Sequence, residues 1–181
     1  MPKPSQDDFK NEYTQYVTKA TVLIHAPETR DSILNMIGGA DPVQSIANAS
    51  VMVMQRLDLA ARNAGIELQD TVRIFGANQV VHMIAEVGDA AGKFKLPERL
   101  LELALSVATQ DYVKGEIAAH RIDPKKLGIA LQNDMRQLPP NQRKQIQLSQ
   151  IRIKETAMKY NHGKGLAAFQ GMTSTAGKQG G

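Results

Sequence analysis

Residues 41–65, DPVQSIANASVMVMQRLDLAARNAG, and residues 70–92, DTVRIFGANQVVHMIAEVGDAAG, set the architecture of this chain. Each begins with an aspartate that can accept an unpartnered backbone N–H at a helix start. In the first, Pro42 follows, at a position where its missing N–H costs nothing. Apolar or small residues then recur at Val43, Ile46, Ala47, Ser50, Val53, Met54, Leu57, Ala61 and Ala64, in steps of three and four that make one helical face. Gly65 supplies a left-handed stop. The second segment repeats the grammar, with Asp70 as cap, Val72, Phe75, Gln79, Val80, Met83, Ile84, Val87 and Ala91 as its face, and Gly92 as stop. The connection is short, which predicts an antiparallel helix hairpin.

Outward from this hairpin the same reasoning predicts helices on both sides. Ser5 and Asp8 resemble a capping box for a helix reaching about Ala26, with Phe9, Tyr13, Tyr16, Val17, Ala20, Leu23 and Ile24 apolar. Pro27 opens a short helix through Ile37, closed by Gly38 and Gly39. After the hairpin, Pro97 starts a helix to about His120, and Asp123-Pro124 starts another to about Leu138. Pro139 and Pro140 end that one, because proline disfavours helical geometry in the residue before it. A last helix spans 141 to about 160. Its isoleucines and Met158 do not form a broad stripe, so it is expected to lie on a partner chain. The remainder is rich in Gly, Ser and Thr, a composition that behaves as a loose tail. The expected fold is therefore all-α: a helical bundle over residues 1–138, built on the hairpin, with an extended C-terminal arm over 139–181.

Composition agrees with helices packed through small residues. Aromatic residues make up 4% of the 181, tryptophan and cysteine are absent, and eight methionines are available to fill irregular gaps. The lack of cysteine excludes disulfides, thiolate metal sites and cysteine nucleophiles. The start is polar and acidic, with no apolar core of a secretory signal. No run approaches the roughly 18–20 apolar residues that a membrane span needs. Charge is unevenly distributed: residues 141–181 hold seven basic residues and one acid, net +6, while the other 140 residues hold 15 bases and 17 acids, net −2. A basic end on a near-neutral body suits an acidic protein surface or a polyanion.

The sequence carries no chemical signature. The four histidines fall in four different predicted elements. His82 and Glu86 share a helix face, but two ligands do not make a metal site and no further motif completes them. GDAAGKF at residues 88–94 is one residue short of a phosphate-binding loop, lacks its Ser or Thr, and follows a helix. No serine stands in a nucleophile elbow. The sequence thus predicts no catalytic residue, no cofactor, no metal and no small-molecule substrate.

The segments SVMVMQRLDLAARNAG (50–65) and ANQVVHMIAEVGDAAG (77–92) resemble small virion structural proteins of tailed bacteriophages. In those proteins a helix of small apolar residues turns into a second one that closes on an acidic, Ala- and Gly-rich stretch, here EVGDAAG at 86–92. The resemblance covers about 45 residues. It implies a many-copy component of the neck, tail or internal ejection apparatus, assembled in the host cytoplasm into the virion, and it implies no catalytic residues. Its expected partners are further copies and other virion proteins, engaged through residues 141–170. Candidate partner-binding residues are Arg143, Lys144, Arg152, Lys154, Lys159, Leu166 and Phe169. The same bases offer contacts to nucleic-acid phosphates, so a packaging accessory protein is the first rival reading. An assembly adaptor or chaperone is the second.

Overall fold

The computed structural model of the chain describes residues 6–137 and 139–161. Among the described residues it contains seven α-helices and no strand: α1 (Gln6–His25), α2 (Pro27–Met36), α3 (Pro42–Asn63), α4 (Asp70–Ala90), α5 (Glu98–Ala118), α6 (Pro124–Gln137) and α7 (Pro140–Lys159). The all-α expectation is met. The chain divides into two compact units, Met1–Thr109 and Gln110–Gly181, with the division inside α5.

Helix ends follow local chemistry where a local group is at hand. Asp41 accepts the Gln44 N–H at 3.0 Å in front of Pro42, and Asp123, in front of Pro124, accepts the N–H groups of Lys125 at 2.9 Å and Lys126 at 3.4 Å. Gly65 and Gly92 take φ of 70° and 66°. Each closes its helix with a pair of bonds, Gly65 N–H to Arg62 and Ile66 N–H to Ala61, then Gly92 N–H to Asp89 and Lys93 N–H to Gly88. The third such ending uses no glycine. His120 takes φ of 56°, donates to Ile117 O at 2.9 Å, and Arg121 N–H donates to Glu116 O at 2.8 Å.

The start of α4 departs from the sequence reading. Asp70 is the first helical residue, and the cap position belongs to Gln69, whose side chain makes no capping bond. A distant residue serves instead: Glu12 of α1 accepts both the backbone N–H and the side-chain amide of Gln69, each at 2.7 Å. The Ser5 capping box lies outside the described residues.

Within the first unit α4 packs against α1, α2 and α3, and α3 also packs on α1. Glu12 meets Gln69, Tyr16 lies against Gly76, and the Thr21 hydroxyl reaches the Met83 sulfur at 3.4 Å. The partners rise together along both helices, so α1 and α4 run parallel. At the crossing, a Cβ on Gly76 would stand 2.3 Å from Cε1 of Tyr16, so only glycine lets the ring lie this close. Because α4 is covered on several sides, the adjacent Val80 and Val81 are both buried, along with Val72, Ala77 and Ile84. Burying such a side chain contributes about 1.5–3 kcal/mol relative to leaving it in water. Phe75, read from sequence as part of the packing face, is instead 58% exposed. In the second unit Tyr112, Glu116, Thr156 and Tyr160 are buried.

Candidate interaction surface

Helix α7 presents two different faces. Ile146, Ser149, Ile153, Thr156, Ala157 and Tyr160 fall on one side at 100° per residue, and they are half-buried or buried. Thr156 turns its hydroxyl back onto the Arg152 carbonyl at 2.8 Å, which satisfies it locally. On the opposite side Leu148, Ile151 and Met158 form an exposed apolar ridge, each of them more than half exposed. The five sequence-predicted bases of the helix surround that ridge, and all are exposed. Lys144 stands one turn before Leu148. Arg152 and Lys159 flank the ridge on one side, and Arg143 and Lys154 on the other. Arg152 is steadied by a bond from its guanidinium to the Ser149 hydroxyl at 3.2 Å. Gln145, Leu148, Ser149 and Arg152 line an open, shallow depression along one flank. Leu166 and Phe169, the two remaining candidates, lie outside the described residues.

A second exposed apolar surface was not foreseen. Phe9 stacks on Tyr13 with centroids 5.9 Å apart and meets Phe75 edge-on at 6.0 Å. The chain has only eight aromatic residues, so three of them gathered at one surface site is a strong concentration. Ile74 beside them is also exposed. Spacing along α4 could not reveal this, since a helix packed on several sides offers no single polar face against which to judge Phe75.

Two buried carboxylates were also missed. Asp58 is 2% exposed and faces Arg73 of α4, Oδ1 to Nε 3.8 Å, too long for a hydrogen bond. Tyr16 shares this site. Burial pushes its phenol well above the usual tyrosine range; the Asp58 charge adds to the rise and Arg73 opposes it. Glu116 is fully buried and accepts two bonds from Arg121, at 2.7 and 2.8 Å. The available signal was position: Asp58 falls between Met54 and Ala61 on the apolar face, and Glu116 is four residues after buried Tyr112.

Among the described residues no group of three or more His, Asp or Glu side chains is placed to hold a metal ion. His82 and Glu86 are both exposed on α4. A cleft beside Tyr16, Lys19, Leu57 and Leu68 has room for no more than about two waters. No helix among the described residues is long and apolar enough to cross a membrane. No known protein family matches the chain, and no curated protein or solved structure matches it.

Proposed function

We propose that this chain is a non-catalytic structural component of a tailed-phage virion, of the neck, tail or ejection apparatus. In this reading the α3–α4 hairpin organises a helical body, and the segment from residue 139 onward is an arm that engages further copies and other virion proteins. The observation that carries it is the ridge of Leu148, Ile151 and Met158, left in water amid five bases. Exposed large apolar side chains that line up along one helix face mark a protein contact more often than a solvated surface.

The bases alone favour the rival reading, in which α7 contacts nucleic-acid phosphates. Light scattering at low and high salt, with absorbance at 260 and 280 nm on each peak, separates the two. A discrete oligomer free of nucleic acid that survives high salt supports the structural role. A monomer that carries nucleic acid at low salt and loses it at high salt sinks the structural role and supports a packaging accessory protein. A clean monomer at both points to an adaptor that awaits its client.

A further inference from the structure

Two stretches of the first unit lie together without burying a side chain of their own. From Phe9 to Gln15 on α1, and from Arg62 to Gln69 between α3 and α4, every side chain is exposed or half-buried. The core begins just beyond them, at Tyr16, Ala61 and Val72. A polar tie joins the two stretches. Both oxygens of Glu12 accept from Gln69, one from the backbone N–H and one from the side-chain amide, each at 2.7 Å. A charged acceptor makes such bonds roughly twice as strong as neutral ones. Phe9 adds an edge-on contact to Phe75 at 6.0 Å. Glu12, Gln15, Ile66 and Leu68 wall a cleft whose inner walls are Tyr16, Leu57 and Ala61, each at most 6% exposed. Tyr16 also belongs to the Asp58–Arg73 site, where a charge pair is withdrawn from water.

We infer that residues 9–15 and 62–69 form a strap that opens as one piece beside the Tyr16–Asp58–Arg73 site, with Glu12 as its latch. Segments that bury little detach at a lower free energy than the core, in contiguous cooperative units. One carboxylate serves both sides of the strap, so its release frees both at once. Opening uncovers Tyr16, Leu57 and Ala61. It also gives the charge pair access to water, and the recovered hydration offsets part of the cost. The first unit thus keeps an apolar surface that only the open state shows.

Native-state hydrogen exchange on the full chain tests the strap. The amides to follow are Tyr13, Thr14 and Gln15 on one side, and on the other Ile66, whose N–H donates to the Ala61 carbonyl at 2.9 Å. Val53 and Met54 in the middle of α3 report on the core. Both sides of the strap are expected to be less protected than the core, and to a similar degree. Glu12→Ala is expected to speed exchange on both sides by one factor, about tenfold or more. Gln69→Ala keeps the backbone bond and loses the side-chain one, so it should speed both sides by less. It carries the test alone should circular dichroism show that Glu12→Ala has lost its helices. Ile84→Val, a mild change at a fully buried position of α4, is expected to speed Val53 and Met54 about threefold or more and to leave the strap unchanged, because the open strap keeps the core intact. Faster exchange on one side only in Glu12→Ala, or on neither, would make Glu12 a local cap and overturn the strap. Strap amides that follow the core in Ile84→Val would overturn it too, since they would then open only when the whole unit unfolds.

Discussion

Asp58 and Glu116 are both carboxylates withdrawn from water, and both face an arginine, yet they are held in opposite ways. The partner of Asp58 comes from another helix. Arg73 reaches it from α4 at 3.8 Å, its side chain only 18% exposed, while Tyr16 of α1 supplies a third side of the site. Three helices must dock before this arrangement exists. The partner of Glu116 is five residues further along the same chain, joined by two short parallel bonds, and its side chain remains 40% exposed. Both members of that pair lie at the end of α5, although Glu116 itself is fully buried. Similar chemistry thus serves tertiary docking in one unit and a local helix ending in the other.

The difference should appear first when a carboxylate is removed. Asp58→Ala leaves the Arg73 guanidinium mostly out of water, where it cannot recover its hydration without opening the helix packing. A loss of about 3–5 kcal/mol is expected, the range for breaking a buried pair from one side. Urea unfolding measures it, and a loss under 1 kcal/mol would mean that water reaches Arg73 without cost. Glu116→Ala removes two charge-assisted bonds, but Arg121 can swing into solvent. The expected loss is smaller, about 2 kcal/mol. Equal losses in the two variants would erase the distinction between a docking pair and a local one.

Residue type marks neither carboxylate as buried, only position on a face does, and the reasons are physical. Helix starts and stops are written locally, so Asp41-Pro42, Asp123-Pro124, Gly65 and Gly92 read correctly. A cap supplied from elsewhere does not. Glu12 displaces Asp70 in that role because α1 lies beside the start of α4, a fact that no nearby residue encodes. Phe75 was misplaced for the same reason, since the sides of α4 that are covered depend on three neighbours. On α7 the bases were legible because Lys and Arg are nearly always exposed. The ridge was overlooked because Leu148 was not set beside Ile151 and Met158; at steps of three and seven residues they share a face.

The Asp58 site can also be probed by pH. Tyr16 is held neutral in the folded protein, with its proton affinity raised chiefly by burial and further by Asp58. The unfolded chain releases that proton near pH 10. Stability from this group is therefore fully present below pH 10. Above it, stability falls by up to about 1.4 kcal/mol per pH unit, because the unfolded state ionises first. Tyr16→Phe removes this dependence, so the wild type should lose stability more steeply than the variant as pH rises from 9 to 11. Parallel curves would show that the phenol ionises as readily folded as unfolded.

The smallest expected effect tests the other side. His120 holds the left-handed conformation at the end of α5, where Arg121 N–H bonds to the Glu116 carbonyl while its guanidinium grips the Glu116 carboxylate. A non-glycine residue pays about 1–2 kcal/mol for that backbone geometry. Glycine avoids the strain but loses more chain entropy on folding, so His120→Gly should stabilise by a net amount of about 0.5–1 kcal/mol. The gain should persist in the Glu116→Ala background if the backbone turn and the side-chain pair are separate devices. If the gain appears only with Glu116 present, the carboxylate pair is what forces His120 into its strained turn. Local independence would then fail, and the Glu116 site would resemble the Asp58 site in being coupled to its surroundings.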